Sequence, residues 1–369
     1  MELAEHFDVP RTAIAAEVGR LAGLRLVEEV EPGASRRGRR SATIDLAGGV
    51  RFVGIAIGAT AVSAAVTDGR LQVLAFERLQ CDVRQGPEPV LELATELSRT
   101  LLLQLGVDKP LGVGVGVPGP VDFSRGISVS PPIMPGWDRY PVRDFFAQEF
   151  CCPAVMDNDV NVMALGEQHA GVAGKVENLL FVKIGTGIGC GIVANGELYR
   201  GMDGCAGDMG HIPVADSDAL CACGNKGCLE ATFSGAALSR DALAVARSGG
   251  SPLLRELLDR HGTLTAAEVG QAARAGDAAS VKLVRDGGRR VGQVLAGVVS
   301  FFNPNLIVLG GGLTMLSHVL LAEIRAVIYR RSLPLATRSL PIMVSRVGQQ
   351  AGVIGAARLV SEEVYGFHR

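Results

Sequence analysis

Phe52-Val53-Gly54-Ile55-Ala56-Ile57-Gly58-Ala59-Thr60, continuing through residues 62–66 to Asp68-Gly69 and Leu71, has a counterpart about 130 residues further on. There Phe181-Val182-Lys183-Ile184-Gly185-Thr186-Gly187 continues through residues 188–193 to Asn195-Gly196 and Leu198. Each copy reads as strand, glycine turn, strand, hairpin turn, strand. A duplicated β-hairpin-β unit, with strands and helices after each copy, predicts an α/β protein whose two similar lobes face a cleft. Glycine turns of this kind can aim backbone N–H groups at phosphate oxygens, although a hairpin that simply needs glycine has the same sequence.

Between the copies, Leu111-Gly112-Val113-Gly114-Val115-Gly116-Val117 reads as a buried strand closed by Pro118-Gly119-Pro120, a rigid stretch suited to wall the cleft. Met156-Asp157-Asn158-Asp159-Val160-Asn161 then places amides and carboxylates at a strand-to-helix junction, with a helix over 162–170. Such groups suit hydrogen bonding to a polyol, and Asp159 could take a hydroxyl proton. Asn and Asp are equally the favoured residues for capping a helix, so the two readings stand side by side here. Asn303-Pro304-Asn305 precedes a strand over 306–309 and then Gly310-Gly311-Gly312, a third junction against which a nucleotide could lie. Residues 351–369 read as a closing helix.

His211 is followed by Cys221-Ala222-Cys223-Gly224-Asn225-Lys226-Gly227-Cys228-Leu229-Glu230, a spacing of H-x9-C-x-C-x4-C. One imidazole and three thiols, with glycines to turn the backbone sharply, can close on a single tetrahedral ion, best suited to zinc. Four protein ligands leave no open position, so the ion would be structural, holding Asp208 and Glu230 at the edge of the cleft. The alternative is three free thiols in a reducing compartment.

The chain has 369 residues, 48% of them hydrophobic, enough for a large core divided into two or three domains. Forty-eight glycines with 5% aromatics favour a closely packed α/β protein. No charged-then-apolar leader and no bilayer-length apolar run stands out, so the expected location is the cytoplasm. Eight cysteines do not resemble a disulfide framework in a chain of this size. The net charge of −2 hides a local cluster, Arg36-Arg37-Gly38-Arg39-Arg40.

That cluster belongs to a distinct grammar over residues 1–46. A short amphipathic helix over 2–9, Pro10, a helix over 11–22 with Ile14, Val18 and Leu21 at helical spacing, a strand over 24–30, a basic tip and a strand over 41–46 resemble a winged helix-turn-helix. In that reading Arg11 and Thr12 face base edges in the major groove, while Arg36, Arg37, Arg39 and Arg40 meet phosphates or the minor groove of double-stranded DNA. The alternative is a solvated basic loop. Such domains normally carry one more helix ahead of the first, so this one is expected to be incomplete or to start upstream.

Together these pieces resemble the ROK family (repressors, open reading frames, kinases) of actin-like sugar kinases, over about residues 50–365. The resemblance rests on the glycine turn at 54–60, Pro118-Gly119-Pro120, Asn158-Asp159-Val160-Asn161, Gly185-Thr186-Gly187, the run from Gly204 to His211, the cysteine loop ending in Glu230, and Gly310-Gly311-Gly312. It implies a two-lobed actin-like (ribonuclease H-like) fold, with lobes at 47–172, closed by 351–369, and at 173–350. It implies sugar contacts at Asn158, Asp159, Asp208, His211 and Glu230, with Asp159 as base in a kinase, and zinc on His211, Cys221, Cys223 and Cys228. Any retained nucleotide would lie on Gly185, Thr186, Gly187, Gly310, Gly311 and Gly312.

Three departures weigh against phosphoryl transfer. Family kinases carry Gly-x-Asp-x-Gly-Gly-Thr-Lys at the first turn, where this chain has Gly54-Ile55-Ala56-Ile57-Gly58-Ala59-Thr60-Ala61, without the acid and the lysine. Loss of such charges removes on the order of hundredfold or more in rate. Ile133 in Pro132-Ile133-Met134-Pro135-Gly136-Trp137 stands where the pattern has asparagine, and Asp208 replaces a glutamate. The expected function is a sugar-responsive DNA-binding regulator, a repressor of carbohydrate metabolism acting as a homodimer or a dimer of dimers. The alternative is a hexose kinase using Mg-ATP; a third reading is a repressor whose lobes bind no ligand and serve only dimerisation.

Overall fold

The structure is a computed structural model, which describes residues 3–30, 43–174 and 176–366. At the start, α1 (Leu3–His6) is separated from α2 (Arg11–Gly23) by Pro10, which lacks the N–H to extend a helix and here precedes the first turn of α2. Leu24 still has right-handed helical angles and Arg25 turns the chain at φ +56°, so β1 (Val27–Val30) begins later than residue 24. It pairs antiparallel with β2 (Thr43–Leu46) from Val27↔Leu46 to Val30↔Thr43. Ile14, Val18 and Leu21 are half-buried and Leu26 is buried, while no residue of α2 is fully buried.

The repeat read in the sequence is a repeat of topology. The first copy is β3 (Arg51–Ile57), β4 (Ala61–Asp68), β5 (Val73–Gln80), α3 (Pro87–Gln104), β6 (Gly112–Val117), a small hairpin of β7 (Val121–Asp122) and β8 (Ile127–Ser128), α4 (Val142–Phe150), β9 (Ala154–Asn158) and α5 (Asp159–Ala170). Its sheet runs β5-β4-β3-β6-β9, with β3 antiparallel to β4 and parallel to β6. The second copy is β10 (Leu179–Ile184), β11 (Ile188–Ala194) and β12 (Glu197–Tyr199), then α6 (Leu229–Thr232), α7 (Gly235–Arg247), α8 (Pro252–His261), α9 (Ala266–Arg274) and α10 (Ala278–Phe302). It ends with β13 (Leu306–Gly310), α11 (His318–Arg331), α12 (Pro334–Thr337), β14 (Ile342–Val344) and α13 (Ala351–Tyr365). This sheet runs β12-β11-β10-β13-β14 with the same alternation of antiparallel and parallel neighbours.

Each copy closes with a helix that packs on the other copy's sheet: α13 lies on β3 and β6, and α5 reaches β10 and β11. The approach is backbone to backbone. A Cβ added at Gly54 or Gly114 would stand 1.9 Å from the Val353 carbonyl oxygen or 1.7 Å from that of Ala356. The same holds where α5 and α13 cross. A Cβ at Gly166 would meet the Ala351 oxygen at 1.9 Å, and one at Gly355 the Val162 oxygen at 1.6 Å. The glycines that alternate along β6 are therefore space for a helix.

Around this clasp each sheet has its own apolar core. In α3, Val90, Leu91, Ala94, Leu97, Leu101 and Leu102 form one buried stripe toward the first sheet. The second sheet buries Leu180, Val182, Ile184, Ile307 and Leu309 against Val291, Leu295 and Ile324 from the helices and Phe233, which follows α6. Each such side chain contributes about 1.5–3 kcal/mol by leaving water. Among the described residues no helix is long and apolar enough to cross a membrane.

Candidate functional site

The polar residues gather where the carboxyl ends of the central strands meet, the usual place for a ligand in an open α/β sheet. Asn158 ends β9 and caps α5: its Oδ1 accepts from the Val160 amide at 2.9 Å and the Asn161 amide at 3.4 Å. The helix thus starts at Asp159, three residues before the expected 162. Asn158 Nδ2 donates to the Gly119 carbonyl at 2.8 Å, fixing Pro118-Gly119-Pro120 beside the junction. The capping reading of Asn158 holds, and both its polar atoms are engaged within the chain.

Asp157 is 2% exposed and satisfied on every side. Its Oδ2 accepts from Arg200 Nε at 2.7 Å, and its Oδ1 accepts from Asn161 Nδ2 at 2.8 Å and from the Asn158 amide at 2.7 Å. The Arg200 guanidinium lies 3.9 Å from the centroid of Phe123, so one cation links the segment after β12 to β9 and to the β7–β8 hairpin. Asp159, itself 7% exposed, accepts from Lys183 Nζ. That pair ties the start of α5 to β10.

The β10–β11 turn is the floor of the site. Gly185 donates to the Gly187 carbonyl at 2.9 Å, and the Gly235 amide donates to the Gly185 carbonyl at 2.7 Å. Thr186 is exposed at the tip. Glu230 Oε2 accepts from the Ile188 amide at 3.0 Å, and a Cβ on Gly187 would fall 2.4 Å from that same oxygen. Gly310 pairs with Lys183 across the parallel β10–β13 ladder, so the third glycine turn lies beside the second. Gly207, at φ +92°, donates nothing to strain: its carbonyl accepts from the Cys190 amide at 2.9 Å, and a Cβ there would stand 1.7 Å from the Cys190 oxygen. This seats the loop bearing Asp208 and His211 on β11, next to Glu230. Asp208 Oδ1 lies 3.9 Å from His211 Nε2.

His211, Cys221, Cys223 and Cys228 bring their ligand atoms within 4.8 Å of one another. His211 Nδ1 is 3.6 Å from Cys221 Sγ, and Cys223 Sγ is 3.7 Å from Cys228 Sγ. A tetrahedral ion with bonds of about 2.3 Å to sulfur has ligand edges of about 3.8 Å, so the cluster already has the size of a metal site. The thiols are free. The backbone amide of Asn225 holds the Cys223 thiol down to about 7, whereas burial pushes Cys228 up to about 12. Metal binding would convert all three to thiolates.

Elsewhere, Arg11 and Thr12 occupy the first two positions of α2, are exposed, and lie outside the polar cluster. Arg36, Arg37, Arg39 and Arg40 lie outside the described residues. Ile133 is 37% exposed, while Trp137 of the same motif is fully buried and donates Nε1 to the Val83 carbonyl at 3.1 Å. Lys183 and Arg200 were not singled out from sequence. Lys183 carried a signal, being the lone charge in the otherwise apolar strand Leu179–Ile184.

Two copies of one sheet-and-helix unit, clasped by exchanged helices and gathering carboxylates and glycine turns between them, define the architecture of actin-like sugar kinases and related regulators. A family model described as the ROK family matches residues 52–363, and the chain belongs to that family. It is 35% identical over 254 residues to a glucokinase of Halalkalibacterium halodurans, covering 69% of this chain and 77% of that protein. It is also 29% identical over 345 residues to a xylose repressor of Caldicellulosiruptor bescii, covering 91% of this chain and 84% of that protein. Among solved structures, a ROK family glucokinase from Streptomyces griseus in complex with glucose and AMPPNP is similar at TM-score 0.74 and 29% identity, over 84% of this chain and 98% of that one. A ROK family transcriptional regulator, homologue of the E. coli MLC protein, shares the fold at TM-score 0.83 and 24% identity, over 98% of this chain and 91% of that one.

Proposed function

We propose that this ROK chain is a sugar-responsive DNA-binding transcriptional regulator, a repressor, in which residues 1–46 bind duplex DNA and the lobes at 47–172 (with 351–369) and 173–350 sense the sugar. One observation carries the reading. The similarity to the xylose repressor extends over 91% of the chain, more than residues 52–369 can supply, so it includes part of the N-terminal helix-and-hairpin unit. In the site, Asp159, Asp208, His211 and Glu230 face the sugar, Asn158 frames it, and His211, Cys221, Cys223 and Cys228 hold one structural zinc ion. Two half-sites on DNA require a homodimer.

The ATP-dependent hexose kinase is the second reading, favoured by Asp159, by the adjacent turns at Gly185–Gly187 and Gly310–Gly312, and by the likeness to glucokinases. Against it stand Ala56 and Ala61 at the first turn, where the acid and the lysine would assist Mg-ATP. Calorimetry over a panel of pentoses, hexoses and their derivatives distinguishes the readings. The wild type is expected to bind one sugar, and Asp159→Asn to bind it on the order of tenfold to hundredfold more weakly, as for the loss of a hydrogen bond to a charged group. Turnover of the sugar with Mg-ATP, abolished in Asp159→Asn, would replace the regulator by the kinase.

Among the described residues, the lobes reach β2 at a junction beside the Gly69–Arg70 turn. α5 begins at Asp159 and ends near His169, whose Nε2 lies 3.2 Å from the Arg70 carbonyl. Arg70 pairs its guanidinium with Asp45 of β2, and Tyr365 of α13 donates to the neighbouring Gly69 carbonyl at 3.1 Å. Both crossing helices thus end on the turn that holds β2. The Arg70–Asp45 pair is exposed and contributes little to stability. Arg70→Ala is therefore expected to leave sugar affinity and melting temperature near wild type while reducing the effect of sugar on DNA binding. An undiminished effect would remove this junction from the coupling.

A further inference from the structure

Lys183 is not among the sugar contacts proposed above, yet its ammonium meets the Asp159 carboxylate. Its strand position is flanked by Gly189 on β11 and Gly310 on β13, so neither cross-strand neighbour covers it with a side chain. A Cβ at Gly185 would lie 3.6 Å from Lys183 Cε, which places the lysine stem along the glycine turn. The start of α5 closes the other side, since a Cβ at Gly189 would meet Val160 Cγ2 at 2.9 Å. The ammonium emerges from this slot onto Asp159 Oδ2, with the two side chains 21% and 9% exposed. Among the described residues Asp159 is the one hydrogen-bond partner of the Lys183 ammonium, which has three N–H donors. Asp159 Oδ1 likewise has no protein donor among them.

We propose that Lys183 is a positioning and specificity residue of the site: it clamps Asp159 from the opposite sheet, and the resulting pair reads two neighbouring hydroxyls of one polyol. One hydroxyl donates to Asp159 Oδ1 and the next accepts from Lys183 Nζ, both being charge-assisted bonds at a partly dried surface. A single carboxylate would select a hydroxyl; an ammonium beside it at fixed spacing selects a pair. Lys183 also locks the Asp159 side chain, so its role includes the orientation of the acceptor. The inference rests on the sugar-sensor reading.

The test is calorimetry of wild type, Lys183→Met and Lys183→Arg with the sugar that the panel identifies and with its set of monodeoxy analogues. In the wild type, one analogue is expected to bind on the order of tenfold more weakly than the parent for the loss of the Lys183 contact. Lys183→Met should bind the parent more weakly by a similar factor and no longer distinguish it from that analogue. Lys183→Arg should restore part of the discrimination. A lysine that served only the fold would lower the melting temperature of the free protein and weaken the parent and all analogues by one common factor; that pattern, or an unchanged Lys183→Met, overturns the assignment. A wild type that binds no sugar in the panel overturns the sensor reading and this inference with it.

Discussion

Gly355→Ala is expected to destabilise the protein by about 3 kcal/mol, the upper range for forcing an extra methyl into a packed interior. The new Cβ would stand 1.6 Å from the Val162 carbonyl oxygen and 2.7 Å from the Gly166 amide nitrogen, both backbone atoms of α5 that no rotamer change can move. Relief requires the two helices to separate, and they cannot do so alone. α13 is pressed onto β3 and β6 at Gly54 and Gly114, while α5 is pressed onto β11, where a Cβ at Gly191 would lie 2.7 Å from the Val160 oxygen. A shift of several degrees in melting temperature is the readout. Gly355→Val adds two further carbons to the same contact and is expected not to accumulate as soluble protein. Melting of Gly355→Ala within a degree of wild type would mean that α5 and α13 do not meet backbone to backbone.

Cys223→Ser has the second large effect. Structural zinc sites in small peptides provide on the order of 10 kcal/mol of apparent binding free energy, and a hydroxyl is a poor substitute for a thiolate. Besides its ligands, the loop from Leu220 to Cys228 is held by the isolated bridges Leu220↔Lys226 and Pro213↔Cys228, by backbone bonds such as Gly227 N–H to the Ala219 carbonyl at 2.9 Å, and by a small apolar cluster of Cys221, Cys228 and Ala231. Purified wild type is expected to contain one zinc ion per chain, and Cys223→Ser much less, with a lower melting temperature. The consequence would reach the proposed sugar site through Leu229 and Glu230, which follow the loop directly and end on the Ile188 amide. Metal content unchanged in Cys223→Ser would remove Cys223 from the ligand set.

The duplicated lobes were legible because hairpins are local. Two glycine turns and two Asp-Gly or Asn-Gly turns mark the β3-β4-β5 and β10-β11-β12 units without any long-range information. The cysteine loop was legible for the same reason. What was not legible depends on contacts between distant segments. The alternation of glycine along β6 reads as a buried strand, but its cause, the carbonyl of Ala356 above Gly114, comes from a helix more than 200 residues away. Lys183 and Asp159 are separated by one whole strand-helix passage and meet only because α5 crosses to the second sheet. The boundary of α5 was misplaced for a simpler reason: Asn158 serves as its cap, so the acidic residue assigned to chemistry is also the first residue of the helix.

Sugar-dependent DNA binding is measured by fluorescence anisotropy on a labelled duplex from the region upstream of the protein's own coding sequence, titrated with and without the sugar found by calorimetry. Expected are salt-dependent binding to the duplex, a change in affinity of about fivefold or more when the sugar is added, and no response to sugar in Asp159→Asn. Affinity for the duplex that is the same with and without sugar, in a protein that phosphorylates the sugar with Mg-ATP, would contradict the regulator reading.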